Sequence, residues 1–174
     1  MDSFWVFGYG SLMWNPGFAH EEAKLCRLYG YHRSFCIYST HYRGTVEQPG
    51  LVLGLKKGGS CLGLGFKIAK EHAQKTYDYL VEREQVTGVY KEKHLNLYFD
   101  DHSHNHGLAF VADPLHEQYA EKLDLQSMAD LISKAAGIAG KNADYALNTV
   151  EHLQKIGIHD HQLTKLAQIL KASI

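Results

Sequence analysis

The feature that most restricts the fold of this chain is a set of glycines built into alternating apolar sequence. Leu51, Leu53 and Leu55 alternate, and Leu62, Leu64, Phe66 and Ile68 resume the pattern. A period of two is that of a β-strand, and Gly58-Gly59 between the two runs reads as the turn of a hairpin. Gly54, Gly63 and Gly65 occupy the opposite face. Glycine inside a strand forfeits packing and costs backbone entropy, so it marks a bend or the close approach of another backbone. A strongly curved sheet or a small barrel accounts for all three.

A second glycine-marked stretch stands near the start, Phe4-Trp5-Val6-Phe7-Gly8-Tyr9-Gly10-Ser11-Leu12-Met13-Trp14. Its aromatic and β-branched opening reads as a buried strand that breaks at Gly8 and Gly10. Two readings stand for the break. It is a tight turn, or it is a nest of backbone N–H groups able to hold a carboxylate or an oxyanion. The spacing is not that of a dinucleotide-binding loop, and no glycine stands two residues after Ser11 as a nucleophile elbow requires.

Residues 26–38 mix apolar and basic side chains and read as a further strand or strand pair. Arg33, and Arg43 beyond it, fall among aromatics; each is either a charge whose stem packs on rings or a ligand-binding group. Residues 70–86 have helical periodicity, with Ala73, Tyr77, Leu80 and Val81 forming one stripe. Glu84 follows Leu80 by four and Tyr77 by seven, so it continues that inward stripe. A carboxylate there is unusual unless paired or functional. Burial and the negative end of the helix dipole both raise its pKa. Glu84 is therefore either a general acid/base tuned towards neutral pH or a partner in an ion pair with Arg33 or Arg43.

Residues 93–99 and 108–112 read as strands. Between them His102, His104 and His106 sit in a segment rich in turn formers; it reads as a hairpin loop rather than a metal site. Three helices close the chain. Asp124 caps the first, Asn142 is read as the cap of the second, which stops at Gly157, and Asp160 precedes the third. This places Tyr145 in the second helix's first turn, beside its core stripe. No linker or repeat interrupts the pattern, so residues 1–174 read as one α+β domain.

Net charge is −1 with histidines neutral, and Lys and Arg form no dense run. Nucleic acid is thus not an expected partner. No apolar run approaches the roughly 20 residues that cross a bilayer, so membrane insertion is not expected. The N-terminus lacks the basic and apolar regions of a signal peptide. The three cysteines, Cys26, Cys36 and Cys61, are irregularly spaced, and a cytoplasmic location fits them best.

The segment Phe7-Gly8-Tyr9-Gly10-Ser11-Leu12-Met13-Trp14 resembles the signature of the ChaC-like γ-glutamylcyclotransferases. The resemblance continues in order through His32-Arg33-Ser34-Phe35, Tyr42-Arg43-Gly44, Pro49-Gly50, Tyr79-Leu80-Val81-Glu82-Arg83-Glu84, Ala136-Gly137 and Gly140-Lys141-Asn142-Ala143-Asp144-Tyr145. It covers roughly residues 4–157, and the ordered set is more specific than any one block. It implies a small mixed β-barrel flanked by helices. It also implies cleavage of γ-glutamyl compounds, glutathione above all, with release of 5-oxoproline. By the same resemblance Tyr9, Gly10, Ser11 and Leu12 form the loop that holds the glutamyl group. Glu84 is the catalytic acid/base, and Tyr119 and Tyr145 line the pocket. The chain departs from the family pattern at Ser34 and at Leu51, where many members carry arginine. Since the nucleophile lies within the substrate, no cofactor or metal is implied. Two further readings stay open: a cyclotransferase acting on other γ-glutamyl amides, and a non-catalytic γ-glutamyl-binding regulator of transport.

Overall fold

A computed structural model describes residues 1–173. Its largest element is a closed barrel of five strands: β1 (Phe4–Gly8), β2 (Glu22–Ser39), β3 (Gly50–Ile68), β4 (Tyr90–Phe99) and β5 (His104–Ala112). The strand order around it is β1-β3-β2-β4-β5. β1 runs antiparallel to β3, pairing Phe4 with Ile68 and Gly8 with Leu64. It runs parallel to β5, pairing Trp5 with Gly107 and Val6 with Leu108. The sheet is therefore mixed, and the short β1 closes it.

Gly58 and Gly59 do not reverse the chain. Both have positive φ, 104° and 69°, yet they lie inside one continuous 19-residue strand. Two left-handed residues in succession kink a strand that carries on, which a two-residue hairpin pattern imitates in sequence. The close approach expected of Gly63 is present. A Cβ there would strike the Gly8 carbonyl and stand 2.7 Å from the Phe7 ring. The missing side chain is what lets β1 and β3 lie so close.

The chain folds into two compact units. The first contains residues 1–33 and 55–113. One of its cores gathers Phe7, Cys26, Leu28, Leu55, Cys61, Leu97 and Phe99, with Tyr9 packed at its margin. A second gathers Val6, Leu12, Phe66, Ile68, Leu80 and Phe110. Burying one such side chain stabilises by about 1.5–3 kcal/mol. Burial also pushes the Cys26 thiol up to about 12, which leaves it inert as a nucleophile. Helix α1 (Ala73–Glu84) belongs to this unit and buries Ala73, Thr76 and Leu80. The Tyr77 hydroxyl donates to Glu92 Oε2 of β4 at 2.8 Å. The histidine segment is the β4–β5 connection, and β5 already begins at His104, so His104 and His106 are exposed strand residues.

The second unit contains residues 34–54 and 114–174. Its helices are α2 (Leu125–Lys134), α3 (Asn142–Ile156) and α4 (His161–Ala172), with a two-residue hairpin of β6 (Ala136–Gly137) and β7 (Gly140–Lys141) before α3. Asp124 and Asp160 act as caps, accepting from the amides of Ser127 at 2.7 Å and Leu163 at 3.1 Å. Asn142 is not a cap. Lys141 holds that position, and Asn142, with 0% exposure, turns its side chain on Leu51. Its Oδ1 accepts from the Leu51 amide and its Nδ2 donates to the Leu51 carbonyl, both at 2.8 Å. A buried strand edge needs both groups satisfied, and one carboxamide does it.

Candidate active site

The Gly8–Ser11 break ends β1 and leads into a single 3₁₀ turn, Ser11–Met13. The amides of Met13 and Asn15 bond the carbonyls of Gly10 and Ser11 at 3.0 and 2.8 Å. The amides of Ser11 and Leu12 precede any acceptor the turn supplies, as the opening amides of any helical turn do. Leu12 is buried in the core beside Leu80, so what it offers a ligand is backbone. Ser11 is exposed and Tyr9 half-buried. Leu12 thus pins the loop to the core while the Ser11 side chain is left exposed.

Arg33 lies beneath this loop, 3% exposed. Its Nε donates to the Tyr9 carbonyl and its Nη2 to the Leu62 carbonyl, each at 2.7 Å. Buried guanidinium groups persist where carbonyls meet their donors. Arg33 therefore bears on the loop through the Tyr9 carbonyl.

Glu84 stands in the last turn of α1, with its side chain 18% exposed. Loss of water raises its pKa above the ordinary carboxylate range, and the neighbouring Arg83 charge partly opposes that rise. The ion pair seen at Glu84 is with Arg83, whose Nε lies 3.8 Å from Glu84 Oε1. This is neither of the two arginines expected from the sequence; Arg33 donates to the Tyr9 and Leu62 carbonyls. A carboxyl with a raised pKa is better suited than an ordinary one to taking up and returning a proton. Arg83 itself was not singled out by helical periodicity, which places it off the inward stripe. Its one sequence signal is its place in the Tyr79-to-Glu84 block.

In the second unit, the Tyr145 hydroxyl accepts from the Leu53 amide at 3.2 Å. The Arg43 guanidinium lies 5.4 Å from the Tyr145 ring centroid, and Arg43 Nη1 donates to the Lys141 carbonyl at 3.2 Å. Arg43 is thus a cation on an aromatic face. Tyr119 makes an isolated antiparallel bridge with Ile37, and burial is the first cause that pushes its phenol pKa up. Among the described residues, no cluster of three or more His, Cys, Asp or Glu side chains is arranged to hold a metal ion, and no helix is long and apolar enough to cross a membrane.

The closed, mixed five-stranded barrel with its helices is the γ-glutamylcyclotransferase-like α+β fold. Two solved yeast structures, described as a glutathione-specific gamma glutamyl cyclotransferase, share it. One superposes with a TM-score of 0.88 at 20% identity, covering 99% of this chain and 97% of that one. The other gives 0.84 at 21% identity. The family model described as ChaC-like protein matches residues 4–173, and the chain belongs to that family. A relative from Escherichia coli K12 named glutathione-specific gamma-glutamylcyclotransferase is 38% identical over 96% of this chain and 72% of its own length. A human relative named glutathione-specific gamma-glutamylcyclotransferase 1 is 32% identical over 89% of this chain and 72% of its own. An Arabidopsis thaliana relative named gamma-glutamylcyclotransferase 2-3 is 34% identical over 95% and 87%.

Proposed function

We propose that this chain cleaves glutathione by internal cyclisation, releasing 5-oxoproline and Cys-Gly. The observation that carries the reading is Glu84, a desolvated carboxylate in the last turn of α1. The α-amino nitrogen of the substrate attacks its own γ-carbonyl carbon, the five-membered lactam closes, and the bond to the cysteinyl nitrogen breaks. At neutral pH the attacking group is an ammonium without a lone pair. Glu84 takes one of its protons and delivers it to the departing nitrogen; the second proton, shed as the attacking nitrogen becomes the lactam N–H, passes through solvent to the released amine, so the enzyme ends as it began. Amides and the hydroxyl of the loop from Tyr9 to Leu12 hold the anionic groups of the glutamyl moiety. Arg33 contributes from beneath by fixing the Tyr9 carbonyl.

Tyr119 and Tyr145 are assigned as substrate contacts by family resemblance, and replacing each singly by phenylalanine should raise KM. The chemistry needs no Lewis acid, so turnover should survive exhaustive chelation; restoration of a lost activity by zinc or nickel would contradict this. We place the reaction in the cytoplasm, with neither nucleic acid nor membrane as partner. The deciding experiment incubates the purified protein with glutathione and measures 5-oxoproline and Cys-Gly, with other γ-glutamyl amides as competitors. Absence of both products at high protein concentration rejects the reading. Tight glutathione binding without turnover would instead identify a binding regulator.

A further inference from the structure

The side chain next to the proposed acid/base is bonded to the binding loop. Arg83 Nη2 donates to Ser11 Oγ at 2.7 Å. Its Nη1 donates to the Tyr79 hydroxyl at 2.9 Å and to the Asn15 carbonyl at 3.3 Å. Ser11 and Asn15 are the two ends of one turn, closed by the Asn15 amide on the Ser11 carbonyl at 2.8 Å. One guanidinium therefore grips the turn at both ends, and Tyr79, four residues earlier in α1, braces it. The Arg83 side chain is only 25% exposed, which strengthens each charge-assisted bond relative to one in open water.

We propose that Arg83 is a positioning residue of this reaction: it fixes the turn carrying Ser11 to the helix end carrying Glu84, and aims the Ser11 hydroxyl at an anionic group of the substrate. The proposal rests on the assignment of Glu84 and the loop made above. Because Ser11 Oγ accepts from a cation, its own proton points elsewhere and is polarised, making it a stronger donor. Ser11 is exposed, so that donor faces outward. The fork geometry matters. A lysine ammonium is a single point of charge and cannot meet Ser11, Tyr79 and Asn15 in one plane. Among the described residues, the charge that acts on the Glu84 carboxyl is that of Arg83, so positioning and tuning reside in one side chain.

The test compares wild type, Arg83→Gln and Arg83→Lys in glutathione turnover across pH, with thermal unfolding in parallel. Arg83→Gln should raise KM and lower kcat/KM by roughly tenfold or more. Its acid limb should move to higher pH, since the cation that opposed the rise of the Glu84 pKa is gone. Arg83→Lys should keep the acid limb near that of wild type while retaining the raised KM. If both variants show only a lower Tm, with KM and the acid limb unchanged per folded molecule, the proposal is overturned. Should Arg83→Gln not fold, Arg83→Lys combined with Ser11→Ala decides. A guanidinium acting through Ser11 makes the two KM effects non-additive, and full additivity overturns the proposal. Wild type without glutathione turnover rejects the function itself, a failure visible before any substitution is made, and the proposal falls with it.

Discussion

Replacing Glu84 by glutamine keeps the shape of the side chain and removes its exchangeable proton. Turnover should fall by roughly 100-fold or more, measured as 5-oxoproline release, while the variant remains folded. The effect on stability has a definite sign. The folded-state pKa of Glu84 is raised, so the folded protein holds that proton more tightly than the unfolded chain does. Its contribution is complete at pH below the ordinary glutamate value and is lost as pH rises through the raised one. Glutamine does not titrate. The Tm of Glu84→Gln relative to wild type should therefore improve as pH rises above the ordinary glutamate range. A Tm difference independent of pH would show that desolvation of Glu84 does not shift its ionisation. The inward aspect of Glu84 was legible from helical spacing alone. Its partner was not: Arg83 is adjacent in the chain but lies off the inward stripe, and its guanidinium is placed by the Ser11 and Asn15 turn it meets.

At the scale of elements, Asn142 of α3 makes two hydrogen bonds to Leu51 of β3. Asn142→Ala removes both bonds to Leu51 and leaves a buried amide and carbonyl unanswered. It should cost about 2–4 kcal/mol, seen as a lower urea midpoint. Asn142→Asp keeps the acceptor but sets a carboxylate against the Leu51 carbonyl, and should be at least as damaging at neutral pH. The packing of β1 on β3 has a similar weak point. Gly63→Ala places a methyl against the Gly8 carbonyl and the Phe7 ring, a backbone clash that should cost about 1–3 kcal/mol. Sequence patterning located β1, the two arms of β3 and the cap Asp124, whose partner stands three residues away. It misread Asn142 as a cap because a local role and a long-range one use the same residue type. It misread Gly58-Gly59 as a turn because positive φ serves a kink as well as a reversal.

At the scale of the whole molecule, β2 and β3 each run through residues of both compact units. We propose that the chain unfolds as one cooperative domain, because neither unit can lose these strands alone. Tryptophan fluorescence, which reports Trp5 and Trp14, and far-ultraviolet dichroism, dominated by the helices, should give coincident denaturation curves. Separate midpoints would divide the chain into two domains. The sequence by itself determined most strand and helix positions, though neither the continuity of β3 nor the start of β5, together with the inward aspect of Glu84 and the order of the family's motifs. Each of these depends on backbone periodicity or on neighbours a few residues away. Only the tertiary structure decided that Arg33 serves the Tyr9 and Leu62 carbonyls, that Arg83 grips Ser11 and that Asn142 satisfies Leu51. Those partners are 24, 29, 72 and 91 residues apart, and a hydrogen bond formed at such separations is specified by how the chain closes on itself, a quantity no local pattern contains.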